Sequence, residues 1–252
     1  MKIINIFLIS ILATNPAWAD ATISIWWKGQ PVKDLHYAKQ ITLSSALSDP
    51  AILSYNPYWP VGQISTPVRQ QELEHQRQVL LADLTVLSKM WSDMGEPSLA
   101  SSTLQLLQQL QQLELTGRFD VSVDPDVNQA RSGVDAPILK GHYQLYLAPR
   151  HPEVQIAGLV KQIGDVPLLP GAGLREYWKR KDILEGGDPA GVYLVSPSGK
   201  YDWFPVAIWN ERHVEAMPGA TLFVGFSPDV LPKQYQNLNE RILTLFANRM
   251  PK

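Results

Sequence analysis

Between Gln70 and Leu113 the apolar residues repeat at helical spacing, while on either side they alternate. This switch of period limits the fold more than any other feature, because a segment that buries one helical face cannot also serve as a strand. Leu73, Leu80, Leu84, Leu87, Trp91 and Met94 form one stripe, and Leu99, Thr103, Leu106, Leu107, Leu110 and Leu113 form a second. Gly95 is placed to cap the first helix, Pro97 interrupts the chain, and Ser98 is a suitable N-cap for the second. The short connection implies an antiparallel helical hairpin over about residues 69–114. The glutamines from Gln105 to Gln112 read as the wet face of its second helix.

Flanking this hairpin, Ala21–Trp27 alternates as a strand, and so does Arg118–Val123, with Phe119, Val121 and Val123 on one face and Arg118, Asp120 and Ser122 on the other. Asp124-Pro125-Asp126 ends that strand, and Tyr143–Leu147 supplies another. Composition shifts near residues 148–153, which places a domain junction there. Beyond it the sequence predicts a strand at Val154–Val160, a short helix at Leu174–Lys181 and a hairpin of Val192–Ser196 with Tyr201–Trp209 across the turn Pro197-Ser198-Gly199-Lys200. A strand at Thr221–Phe226 follows. A final helix over about Lys233–Met250 has Tyr235, Leu238, Ile242, Leu245 and Phe246 on its apolar face. Asn237, Asn239, Glu240, Arg241 and Asn248 fall largely elsewhere. Such an amphipathic helix docks on its own domain or rests at an interface, a lipid surface included.

The N-terminus reads as an address. Lys2 precedes an apolar run, Ile3–Ala13, that is too short to span a bilayer, and Ala17-Trp18-Ala19 is a cleavage pattern. The expectation is a signal peptide over residues 1–19, cleavage after Ala19, and a periplasmic protein. With 22 Lys and Arg against 24 Asp and Glu, the chain lacks the basic excess of proteins that bind nucleic acid by bulk charge. It has no Cys, which excludes disulfides, thiol nucleophiles, Cys-ligated zinc and lipid attachment at Cys.

Catalytic patterns are sparse. No G-x-S-x-G elbow occurs, and the five His show neither H-x-H nor H-E-x-x-H spacing. Gly171-Ala172-Gly173 lacks the third glycine of a phosphate loop and has Glu176 in its place. Asp124 and Asp126 could pair as carboxylates or hold a cation, but two acids flanking a proline at a strand end are turn formers. No cofactor is implied.

The second half, read as a unit, carries a resemblance. Val154-Gln155-Ile156-Ala157-Gly158-Leu159-Val160 resembles the opening strand of the soluble ligand-binding β-grasp domains of bacterial polysaccharide exporters. Gly186-Gly187, the Val192–Ser196 strand and Pro218-Gly219-Ala220-Thr221-Leu222-Phe223-Val224-Gly225-Phe226 continue that order. In the first half, a helical hairpin leading into Leu115-Thr116-Gly117-Arg118 and Asp124-Pro125-Asp126 is similar to the GfcC-type capsule biosynthesis family, as is the close Asn239–Pro251. The resemblance implies an α+β protein of two β-grasp-like (SLBB-like) domains. These would be residues 20–150, carrying the hairpin insertion, and 151–230, followed by a C-terminal amphipathic helix over 231–252. It further implies a periplasmic accessory protein of capsule or exopolysaccharide assembly and export, non-enzymatic and monomeric when isolated. Its partners would be polysaccharide or a Wza-type outer-membrane export machinery, with peripheral membrane contact through the terminal helix as a further possibility.

Arg118 matches the arginine of the family's T-G-R motif. Its forked donors suit a glycan carboxylate, sugar hydroxyls or a partner's acid, with Asp120 beside it; the competing reading is a local pair between these two residues. On the binding reading, Arg118→Ala is expected to leave the fold near wild type. Trp26, Trp27, Tyr58, Trp59, Trp203 and Trp209 could stack on sugar; Tyr58 and Trp59, in a proline-rich loop, are the better surface candidates, although loop aromatics also plug core edges. An enzyme that trims or modifies glycan, using Arg118 with Asp120 or Asp124, is the alternative.

Overall fold

A computed structural model describes residues 21–130, 138–177, 182–206 and 213–252. The expected signal peptide, the end of the Leu174–Lys181 helix with Trp178, and Trp209 lie outside the described residues.

The first half opens with β1 (Ala21–Trp27), which turns tightly into β2 (Gln30–Tyr37). Two short strands, β3 (Ile41–Thr42) and β4 (Gln63–Ser65), flank the short helices α1 (Leu43–Leu47) and α2 (Pro50–Leu53). The helical hairpin follows as α3 (Pro67–Asp93) and α4 (Pro97–Gln111), and after it come α5 (Pro125–Ala130), β5 (Ile138–Leu139) and β6 (Gly141–Leu147). The main sheet of this half has the order β2-β1-β6-β4. In it β1 runs antiparallel to β2 and parallel to β6. Ile23, Ile25, Ile64 and Leu145 face a core closed by Leu43, Ala46, Leu47 and Ile52 from α1 and α2.

The second half contains β7 (Glu153–Gly158), β8 (Gly164–Pro167), β9 (Gly191–Val195), β10 (Tyr201–Pro205) and β11 (Thr221–Val224), in the order β10-β9-β11-β7-β8. Here too the first strand of the opening hairpin, β7, runs parallel to the last strand, β11. Of the predicted Leu174–Lys181 helix, the described residues form a 3-10 turn over Leu174–Tyr177. The terminal helix is shorter than its apolar stripe suggests: a 3-10 turn at Lys233–Tyr235 precedes α6 (Leu238–Ala247).

The helical hairpin leaves the sequence of the first half but packs on the second. Leu84, Leu87, Trp91, Leu106 and Leu110 share a core with Ala157, Val195, Phe223 and Phe226 of the second sheet and with Ile242, Leu245 and Phe246 of α6. The opposite face of that sheet buries Val154, Ile156, Val192, Leu222 and Val224 in a separate core. The apolar face of α6 is thus covered by protein, so membrane contact through that face is incompatible with this arrangement. Among the described residues no helix is long and apolar enough to cross a membrane. Asn239, expected off the buried face, is buried; its amide pairs with both backbone groups of Phe226 at 2.9 and 2.8 Å.

The turn between α3 and α4 follows from its glycine. Gly95 has φ +82°, its N–H donates to the Ser92 carbonyl, and the Glu96 N–H donates to Trp91, which closes the helix end in a left-handed cap. Pro97, not Ser98, begins α4, and Glu96 flanks it without a side-chain cap.

Two strand expectations fail in informative ways. Arg118–Val123 forms no strand: the Phe119 N–H reaches the Ile64 carbonyl, but the chain then bends at Asp120-Val121, leaving Val121 exposed while Val123 stays buried. Asp124 does not end a strand but caps α5, its Oδ1 accepting the Asp126 N–H at 2.9 Å, with Pro125 in the first turn.

A cleft between the two halves

The Thr116-Gly117-Arg118 segment joins the halves, and each residue type has a separate cause. Thr116 is fully buried; its hydroxyl donates to Gln63 Oε1 at 2.5 Å and has the Asn248 carbonyl within 3.0 Å. Gly117 has φ +65°, and a Cβ there would stand 2.6 Å from the Arg69 carbonyl group at the start of α3. Both the backbone angle and the close approach exclude a side chain. Arg69 in turn places its guanidinium 5.0 Å from the centre of the Phe119 ring. Arg118 then leaves the segment towards the β9–β10 turn, where its Nη1 donates to the Pro197 carbonyl at 3.0 Å. It packs on Gly199, where an added Cβ would meet Nη1 at 2.9 Å.

This contact forms one end of an open cleft of about 450 Å³. Trp59 and Pro60 line it from the 3-10 turn Trp59–Val61, Asp120 and Asp124 from the bent segment, and Ser198 and Lys200 from the β9–β10 turn. Burial pushes the Arg118 guanidinium down to about 10, against the opposing pull of Asp120. The local pair with Asp120, the competing reading of Arg118, is not its hydrogen-bonded contact: Arg118 spends a donor on the Pro197 carbonyl of the other half.

The structure brings Arg118, Asp120 and Trp59 to one cleft. Tyr58 is adjacent in sequence but does not line it; its backbone N–H donates to Ala148. Trp59 is half-buried and also packs on the first core, so it joins that core to the cleft. Lys200 and Ser198 were legible only as turn residues, because the cleft forms across about 80 residues of chain. Asp124 was singled out for its chemistry and is held as a helix cap, with one oxygen committed. Among the described residues no group of three or more His, Asp or Glu is placed to hold a metal ion.

The C-terminal residues stitch the junction from behind. The Thr116 N–H donates to the Asn248 carbonyl at 2.9 Å, Gln63 Nε2 to the Arg249 carbonyl at 2.8 Å, and the Met250 N–H to Glu114 at 2.7 Å. Arg249 Nη2 donates to the Gly219 carbonyl at 2.6 Å, and burial lowers the affinity of that guanidinium for its proton, opposed by Asp165.

A family model described as capsule biosynthesis GfcC, N-terminal, matches residues 19–150, and one described as capsule biosynthesis GfcC C-terminal matches residues 162–251. The chain is also 33% identical over 197 residues to the uncharacterized protein YjbG of Escherichia coli strain K12, covering 78% of each chain. With both halves matched in order, the chain belongs to the GfcC family of capsule biosynthesis proteins.

Proposed function

We propose that this protein is a periplasmic, non-enzymatic accessory factor for capsule or exopolysaccharide assembly and export, and that it acts by binding glycan or a component of the export machinery in the cleft between its halves. The observation that carries this reading is the composition of the cleft. An aromatic ring at Trp59, a cation at Lys200, a half-buried guanidinium at Arg118, a carboxylate at Asp120 and a hydroxyl at Ser198 converge from both halves. That set suits recognition of a hydroxylated, partly charged chain. The periplasmic address rests on the leader pattern of residues 1–19. The β-grasp reading of both halves is supported by the recurrence of a hairpin whose first strand pairs in parallel with the last strand of its sheet.

The enzymatic alternative requires an opposed acid and base. Asp120 and Asp124 do share the cleft, which keeps that reading testable. Deleting the gene in its own host and complementing with wild type, Lys200→Glu or Asp120→Ala separates the readings. Both substitutions change cleft groups without removing the Arg118–Pro197 bond. Loss of surface polymer on deletion, restored by wild type and not by Lys200→Glu, is the expected result; unchanged polymer amount, size and location on deletion overturns it. Incubating the purified protein with the host polysaccharide tests the alternative: new reducing ends that vanish in Asp120→Ala would make it an enzyme.

A further inference from the structure

The helices that cover one face of the second sheet stop at β9. Beyond them, on the edge strand β10, Tyr201 and Trp203 lie on the same side as Tyr193 and remain 36% and 41% exposed. Trp203 is nonetheless fixed. Its indole lies directly on Gly191, where an added Cβ would come within 2.2 Å of Cζ2 and 2.3 Å of Cε2. Its N–H donates to Asp188 Oδ2 at 3.0 Å, while Asp188 Oδ1 accepts the Ala190 N–H at 2.8 Å. One side of the ring and its only donor are therefore committed, and its exposed surface is what remains.

Asp188 is buried at the indole edge with both oxygens committed, and Tyr193, packed against the helical core, has its ionisation raised first by burial and then by Asp188, Glu240 and Tyr201, opposed by a hydrogen bond with Asn239. A flat, fixed aromatic surface about the size of one ring, with the half-exposed Tyr201 phenol beside it on the same side of β10, matches a pyranose. Its C–H face is apolar and its periphery donates hydrogen bonds. Little side-chain entropy is lost when a ring already held in place is stacked upon. Lys200, in the wall of the cleft, directly precedes Tyr201 in the chain, so the two surfaces adjoin.

We propose that Tyr201 and Trp203 form a stacking shelf for sugar rings of a glycan chain, a second site that continues from the cleft along β10. This inference rests on the glycan-binding form of the function proposed above. The competing role for Trp203 is to shield the backbone at Gly191. Tyr201 shields no glycine, so Tyr201→Ala isolates the binding role.

Affinity electrophoresis in gels containing either the host's purified exopolysaccharide or dextran tests the shelf, with thermal melting of each variant as a control for folding. The expected result is retardation of wild type by at least one polymer. Tyr201→Ala should weaken it roughly tenfold with unchanged melting, and Trp203→Phe, which keeps a ring over Gly191, should weaken it less. Retardation as strong in Tyr201→Ala and Trp203→Phe as in wild type overturns the shelf, and so does the absence of retardation by either polymer. A wild-type dimer in sedimentation that dissociates in Tyr201→Ala would assign the shelf to a second copy of the chain and also overturn the proposal. The export reading is decided separately by the deletion phenotype, so either idea can fail alone.

Discussion

The Gln109 side-chain amide pairs with both backbone groups of Gly158: Nε2 donates to the Gly158 carbonyl and Oε1 accepts its N–H, each at 2.9 Å. Gly158 ends β7 with φ +97° beside Val224 of β11, whose carbonyl leaves no room for a side chain; its own carbonyl also accepts the Val160 N–H at 3.0 Å, and the Gln109 amide supplies a partner for its N–H. A helix of the first half thus completes the hydrogen bonding of a strand in the second. Gln109→Ala takes this partner from the Gly158 N–H, while the carbonyl keeps the Val160 N–H, and the expected cost is about 1–3 kcal/mol. Urea unfolding should show a lower midpoint at an unchanged slope. Gln109→Glu should be no better, since a second oxygen would face the Gly158 carbonyl.

This pair also marks where the sequence stops being legible. The hairpin, the Gly95 cap, β1, β6, β7, β9 and the start of β11 were readable because their apolar residues repeat against a buried face. The edge strand β2 was missed because it buries little and so carries no alternation. Gln109 and Asn239 were assigned to wet faces because polarity was their only signal; their partners, Gly158 and Phe226, are set by tertiary packing. The candidate site divides the same way. Arg118, Asp120 and Trp59 were legible as chemistry, but Lys200 and Ser198 belong to the cleft only because a turn from the other half arrives there.

Arg118 combines the two roles weighed from the sequence. Its bond to Pro197 ties the β9–β10 turn to the first half, so Arg118→Ala should cost about 1.5–3 kcal/mol, as expected for a hydrogen bond with one charged partner. The expectation of a near-wild-type fold is therefore revised. Arg118→Lys keeps the charge but loses the fork and should recover only part of the stability. Chemical denaturation of the three proteins at neutral pH checks this order.

The C-terminal residues are predicted to hold the halves together. Deleting Arg249–Lys252 removes the bonds from Gln63, Glu114 and Gly219 to this segment, and the ion pair of Lys252 with Asp165. Limited proteolysis should then cut faster near residues 148–153, between the two sheets. Equal cleavage rates for the truncated and full chains would show that the apolar contacts of α6 suffice.

Tyr146 provides the last prediction and a test with an unusual sign. Its side chain is almost fully buried, its ring lies 5.4 Å from that of Trp26, and its hydroxyl has no hydrogen-bond partner. Burial alone pushes its ionisation up to about 12 from an ordinary 10.0. The folded state therefore keeps this proton at a pH where the unfolded chain releases it. The contribution to stability is fully present below pH 10.0 and is lost as pH rises towards about 12. Tyr146→Phe keeps the ring contact and removes both the unpaired hydroxyl and the titration. The variant should be at least as stable as wild type at neutral pH, because deleting an unpartnered buried polar group removes a desolvation cost. Between pH 10.0 and about 12 its stability should fall less steeply than that of wild type. Denaturant titrations across that range, with absorbance near 295 nm following phenolate formation, measure both effects. A variant clearly less stable than wild type at neutral pH would mean that the hydroxyl makes a favourable contact after all.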